Sequence, residues 1–392
     1  MGVMAEYIGK TRIELEEEII SLIKKYNSLD SERELMVFSS AIGKPIPDIP
    51  INMDDYYMIF DILNDSSKKQ IDIYIETPGG IGEAAEEIGR FLHKKFDSVN
   101  FIVSGEAKSA GTILVLSGNE IKMTESGSLG PIDAQIQIGR MRVSAYDYME
   151  WINEKLIEVE KLKKLNPFDA TMIAQISPGE LKSVYNSLNF AKDIVIDWLA
   201  NYKFKNWVQT ETNKTPVDES MRKDRARQVA EDLTNHSKWR SHGRSLKIED
   251  LEKIGLKICR LDGNKSESDI IYRIQTALKL LFQYSTSYKC YITENVKFFK
   301  QAIPMQQNLK QPPIPTRNVE AAEFQYKCLQ CGLIHKFFAK FVPSDKLERD
   351  LIKKGLNPIP KLKRFTCSCG FEFDLTPLIN DLEMKVSKKV II

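Results

Sequence analysis

Two consecutive segments restrict the fold more than anything else in the chain. In "IDIYIETPGGIGEAAEEIGRFLHKKF" an alternating strand (Ile71 to Thr77) breaks at a Pro-Gly-Gly turn and gives way to an amphipathic helix (Glu83 to Phe96). In "VNFIVSGEAKSAGTILVLSGNEI" the same order recurs: a strand from Val99 to Ser104, a small-residue turn, then a helix from about Ser109 that is apolar all round. Successive strand-helix units with short turns require crossover connections, and hence a largely parallel sheet covered by helices. The fold class is α/β.

Elements before these units extend the pattern. "TRIELEEEIISLIKKY" places Leu15, Ile19, Leu22, Ile23 and Tyr26 on one helical face, "ELMVFSS" (Glu34 to Ser40) reads as a strand, and "MDDYYMIFDILND" (Met53 to Asp65) resumes helical spacing. Residues 145–300 are mostly helical by pattern, with Ser245 as the N-cap of a short helix ending near Gly255. The proline- and glutamine-rich "QAIPMQQNLKQPPIPT" that follows reads as a linker. The expected boundaries are an N-terminal helix (1–30), an α/β domain (31–300), a linker (301–322), a small cysteine-bearing domain (323–378) and a tail (379–392).

Charge excludes some functions. With 56 Lys and Arg against 54 Asp and Glu, the 392-residue chain has a net charge of +2 and no overall field for nucleic acid or an anionic membrane. No run reaches the roughly 18 to 20 apolar residues of a membrane span, and the start lacks a secretory pattern, so the expected location is the cytoplasm. A G-x-x-x-x-G-K-[ST] motif is also lacking, so any unfolding motor would be a separate protein.

Ser109 stands where a buried helix begins, beside unpaired N–H groups and the positive end of the helix dipole. A nucleophile placed there has donors for an oxyanion at hand. Gly79 and Gly80 of "TPGG" can bring further backbone N–H groups to the carboxyl end of a parallel strand, where ligands bind in such sheets. Either glycine with Ala110 would make a two-donor oxyanion hole, worth roughly 3 to 4 kcal/mol per donor. The plainer alternative is that Ser109 simply caps its helix.

"ETPGGIGEAAEEIGRFL", "AKSAGTILVLSGNEIKM" and "SLGPIDAQI", together with "PGELKSVYNSLNFAKDIVIDWLANYKF" and "HSKWRSHGRSLKIEDLEKIGLKI", resemble the serine dehydrogenase proteinase family, distant relatives of the Clp protease proteolytic subunit and of signal peptide peptidase A. The resemblance spans roughly Ser31 to Phe282. It implies a ClpP/crotonase-like core with a helical extension, a homo-oligomer, peptide or protein substrates, and a triad in the chain order Ser, Asp, His. Carried onto this sequence, these are Ser109, Asp133 in "LGPIDAQ" and His242 in "SHGR".

Elimination among four histidines supports His242. His93 sits among lysines late in a helix and is expected to be solvated, and His335 belongs to the C-terminal module. His236 remains the alternative base. A serine-lysine dyad using Lys155, Lys161, Lys163 or Lys164 is a second route, although these lie in a charge-laced helix and a basic lysine must be desolvated. Lys108 adjoins Ser109 but neighbours at a helix start point apart. Glu76, just before "TPGG", would oppose an oxyanion unless it is turned away or paired. An inactive scaffold and acyl transfer on a crotonase-like frame are the other functional readings.

"YKCLQCG" and "FTCSCGF" place Cys328, Cys331, Cys367 and Cys369 in two knuckles, each followed by glycine. This suits a structural zinc ribbon, with His335 as substitute ligand if one cysteine is free. No cofactor is expected for catalysis. The ribbon's partner, protein or nucleic acid, stays open, since Lys361, Lys363 and Arg364 are only a modest basic patch.

Overall fold

The computed structural model describes residues 2–138, 141–210, 212–302, 319–386 and 388–392, so most of the expected linker lies outside the described residues. The chain forms two compact units, one of Ile19–Gln275 with Lys289–Phe298, the other of Met1–Glu18, Thr276–Tyr288 and Phe299–Ile392.

β1 (Arg33–Ser40), β2 (Gln70–Glu76), β3 (Ser98–Val103), β4 (Glu120–Met123), β5 (Cys259–Arg260) and β6 (Ser287–Ile292, of which Lys289–Ile292 belong to the first unit) are six strands of a seven-stranded sheet, in the order β6-β1-β2-β3-β4-β5. Strands β1 to β5 are parallel, in register at Val37↔Tyr74, Ile73↔Phe101 and Phe101↔Ile121. Strand β6 runs antiparallel to β1, with Phe38 opposite Tyr291. Six of the seven β2 residues are buried, the pattern of a strand covered on both faces.

Helices α1 (Met53–Leu63), α2 (Gly82–Lys95) and α3 (Ala110–Leu116) follow their strands as the sequence pattern requires. Ile88 and Leu92 of α2, Leu114 of α3, and Ile73, Phe101 and Ile121 of the sheet share one core with Trp198. Helices α4 (Ala145–Leu162), α5 (Pro178–Trp198), α6 (Glu219–Thr234) and the single turn α7 (His236–Trp239) make up the helical extension. The pattern missed strand β6, because "SYKCYI" carries a lysine at its centre. Lys289 is fully buried, and its ammonium reaches both oxygens of buried Asp55 at 2.9 Å.

In the second unit β7 (Ala321–Lys327) and β8 (Ile334–Lys340) pair antiparallel, as do β9 (Arg364–Thr366) and β10 (Glu372–Asp374). Phe324, Tyr326, Phe337 and Phe373 fill its small core, and a C-terminal helix (Thr376–Val386) adds Leu378, Ile379 and Leu382.

Candidate active site

Ser109 joins a two-residue strand, Glu106–Ala107, to α3. Its backbone is held at φ 49° and ψ −118°, a conformation that costs a non-glycine residue about 1–3 kcal/mol. Its side chain makes no capping hydrogen bond to α3, which removes the plain N-cap explanation. Close packing enforces the turn: a Cβ on Gly111 would lie 2.4 Å from Thr77 Cγ2, and the Thr112 hydroxyl donates to the Ala107 carbonyl at 2.7 Å.

The glycine turn lies directly against this serine. The Thr77 N–H donates to the Glu106 carbonyl at 2.8 Å, and the Lys108 N–H donates to the Thr77 carbonyl at 3.1 Å. A Cβ on Gly79 would come within 2.7 Å of Ser109 Cβ, and one on Gly80 within 2.2 Å of the Ile51 carbonyl oxygen. Both glycines have positive φ, 102° and 152°. The Gly79 N–H donates to Thr77 Oγ1 at 3.2 Å, so Gly80 is the better placed of the two to offer a donor. Ile51 braces the turn from its far side, donating to the Gly79 carbonyl at 2.7 Å and accepting from Ile81 N–H at 2.9 Å.

Asp133 is 1% exposed and carries both remaining histidines. Its Oδ1 lies 2.9 Å from His242 Nδ1, while its Oδ2 lies 2.8 Å from His236 Nδ1 and accepts from Gln135 Nε2 at 2.8 Å. Burial alone would raise the Asp133 carboxyl; the hydrogen bonds and charges of His242 and His236 outweigh it and hold it below the ordinary carboxylate range. The segment is fixed from two directions, because Leu129 pairs with Leu246 and Ile132 N–H donates to the Leu233 carbonyl at 3.0 Å.

The lysines divide by environment. Lys155 is ion-paired with Asp169 and Glu158 at 2.8 and 2.9 Å, and those bonds raise its pKa, the opposite of what a base needs. Lys161, Lys163 and Lys164 are exposed. Lys108 is buried, which lowers its pKa, and its ammonium turns to Leu129 O (3.0 Å), Ser128 Oγ (3.2 Å) and Ser245 Oγ (2.9 Å). Ser245 therefore caps no helix: the helix Ile248–Lys253 begins after Lys247, and Ser245 serves as a lysine acceptor.

Two further expectations meet the structure here. His93 is part-buried, stacked on Tyr202 with centroids 3.5 Å apart and bonded to the Ser117 carbonyl at 2.7 Å, so it is not solvated. Its position on an amphipathic helix gave no sign of the aromatic partner. Glu76 accepts from the Tyr74 hydroxyl at 3.0 Å and packs against Gly105, where a Cβ would lie 2.4 Å from its Oε1. Its carboxylate is thus paired.

In the second unit the sulfurs of Cys328, Cys331, Cys367 and Cys369 lie within 4.8 Å of one another and could hold a metal ion. Both knuckles close the same way. Gly332 and Gly370, at φ 77° and 88°, donate to the Cys328 and Cys367 carbonyls at 2.9 Å. His335 Nε2 lies 3.2 Å from Cys367 Sγ, beside the four sulfurs.

Two uncharacterised proteins of Methanocaldococcus jannaschii, MJ0137 and MJ1495, are 40% and 36% identical to this chain over 68 and 66 residues, 17% of the chain in each case. The chain spans about a quarter of their length, 24% and 23%. Among solved structures, the 1510-N membrane-bound stomatin-specific protease is 15% identical (TM-score 0.32; 55% of this chain, 77% of that one). ClpP1 from Listeria monocytogenes is 12% identical (TM-score 0.32; 62% and 99%). No helix among the described residues is long and apolar enough to cross a membrane. Residues 40–187, the stretch that carries Ser109, Asp133 and both small-residue turns, match the family of ClpP-like SDH-type serine proteinases.

Proposed function

We propose that the first unit is a serine peptidase in which Ser109 attacks a peptide carbonyl, His242 accepts its proton and Asp133 orients the imidazole. The observation that carries this reading is the strained backbone of Ser109 together with a hydroxyl that caps nothing. Strain of this kind is retained where a side chain must be presented rather than packed. His242 is preferred over His236 as base because Nδ1 of His242 is taken by Asp133 and leaves Nε2 for the serine, whereas both nitrogens of His236 face carboxylates. The N–H groups of Gly80 and Ala110 would hold the oxyanion, with Gly79 bringing the turn against Ser109.

The test is intact-mass analysis after incubation with a fluorophosphonate. A single adduct is expected on the wild-type protein and none on Ser109→Ala, with His242→Ala slowed by at least about a hundredfold. An adduct that persists in Ser109→Ala would refute the assignment. An unlabelled wild-type protein would favour the scaffold reading.

The reading extends to Zn2+ at the four cysteines, a tetrahedral thiolate set of the structural kind. His335 would sit outside that set as a donor to the Cys367 sulfur. One equivalent of zinc by elemental analysis, lost in Cys328→Ser, is the expected result. Self-association also belongs to this reading: Leu156, Ile157 and Leu162 of α4 are all more than half exposed. Light scattering should give a multiple of the chain mass. Peptide or protein as substrate, a cytoplasmic setting and a protein or nucleic-acid partner for the cysteine module complete the proposal.

A further inference from the structure

A triad needs one histidine, yet Asp133 holds two. His236 and His242 take one oxygen each, Oδ2 at 2.8 Å, shared with Gln135 Nε2, and Oδ1 at 2.9 Å. His236 does not stop there. Its other nitrogen, Nε2, lies 3.5 Å from Asp147 Oδ2, in the first turn of α4. With a carboxylate facing each nitrogen, this ring presents neither nitrogen to Ser109.

The supports of His236 are as specific as its contacts. It opens the single turn α7, whose N-cap Asn235 accepts from Lys238 N–H at 2.9 Å. The next residue, Ser237, donates to Glu150 Oε2 at 2.9 Å, so two successive side chains tie α7 to the first turns of α4. Asp133 itself reaches the site from a segment held by Leu233, at the end of α6. Gln135 also donates to Oδ2, but it lies two residues along the same segment and moves with it. His236 holds that oxygen from a different element, so the carboxylate keeps one plane relative to the helices and the imidazole of His242 keeps one aim.

We propose that His236 is a positioning residue: by holding Asp133 Oδ2 while braced on Asp147, it fixes the plane of the carboxylate that aims His242, and makes proton transfer from Ser109 depend on the seating of helix α4. This rests on the Ser109–His242–Asp133 reading above. It adds a second histidine and a second carboxylate that act without touching substrate.

The experiment uses the same fluorophosphonate on the full chain. Ser109 Oγ forms a bond to phosphorus, the P–F bond breaks, fluoride leaves, and the hydroxyl proton passes to His242, so kinact reports proton transfer while KI reports binding. His236→Leu should lower kinact about 10- to 100-fold with KI changed less than about twofold. His236→Gln, which keeps a donor for Asp133, should recover most of that loss, and Asp147→Asn should fall between. Asp147 is half exposed, so this variant bears on the proposal even where His236→Leu is unstable.

An unchanged kinact in His236→Leu would overturn the proposal, as would a His236→Gln protein as slow as His236→Leu. Failure of the underlying reading looks different. It appears as an unlabelled wild-type protein, or as labelling that survives in His242→Ala.

Discussion

Replacing Lys108 by methionine asks whether a buried lysine next to Ser109, the proposed nucleophile, is a tether or a base. The ammonium lies 2.9–3.2 Å from Ser245 Oγ, Leu129 O and Ser128 Oγ, so it joins the segment of Ser109 to the two stretches that flank Asp133 and His242. Methionine keeps the apolar stem that packs against Gly130, where a Cβ would sit 2.9 Å from Lys108 Cδ. What is lost is a set of charged hydrogen bonds, individually about 1.5–3 kcal/mol, offset by the several kcal/mol it costs to bury an ammonium. Leu129 O is not orphaned, since Leu246 N–H still donates to it at 2.9 Å. The net loss is therefore about 2 kcal/mol, a fall in Tm of about 5 °C for a unit of this size. Labelling of Ser109 should slow by no more than about tenfold, because the Leu129–Leu246 pairing and Asp133 still locate His242. Burial holds the lysine pKa below its ordinary value, so the unfolded chain binds more protons and wild-type stability rises as pH climbs toward the lysine range. Lys108→Met should abolish that rise. Thermal melts and fluorophosphonate kinetics on the same samples decide the matter. Labelling abolished with Tm unchanged would refute the tether and make Lys108 the base.

Other perturbations follow from the same geometry. Gly80→Ala would drive a methyl to 2.2 Å from the Ile51 carbonyl oxygen at φ 152° and should cost at least about 4 kcal/mol with loss of labelling; Gly43→Ala, also at positive φ but with nothing within 4 Å, should cost about 1 kcal/mol in the same denaturant titration. Lys289→Met leaves Asp55 buried without its ammonium and should destabilise by about 3–5 kcal/mol, while the double variant with Asp55→Leu should regain more than half of that in urea melts. Asp133 has a folded-state pKa below its ordinary value, so its contribution is present above the carboxylate range and lost as pH falls through the folded value. The stability gap between wild type and Asp133→Asn should accordingly narrow between about pH 5 and pH 2.

What could be read in advance, and what could not, divides along the distance over which each residue is determined. Strands β1 to β3, helices α1 to α3 and the Ser109 turn follow from local alternation, helical spacing and glycine position, and each lies within two residues of its expected start. The four cysteines were legible for the same reason: each knuckle is a contiguous motif closed by its own glycine. Charged and titratable groups were harder, because their partners lie far away in sequence. Lys289 marked its strand as polar until Asp55, 234 residues earlier, was seen to neutralise it. His93 gave no hint of Tyr202, and Lys108 gave none of Ser245, 137 residues on. The choice between His236 and His242 shows the limit most clearly. They lie six residues apart, and both donate to the same carboxylate. What separates them is Asp147, delivered by a helix that ends more than seventy residues before either of them, which lies 3.5 Å from the second nitrogen of His236; the proposed mechanism gives the second nitrogen of His242 to the serine. Local pattern therefore specifies where Ser109 is presented, while the partners of the two histidines are a property of the packed helical extension. Under the proposed mechanism, such a fold would keep its serine and glycine turns intact and still gain or lose activity through the seating of α4 alone.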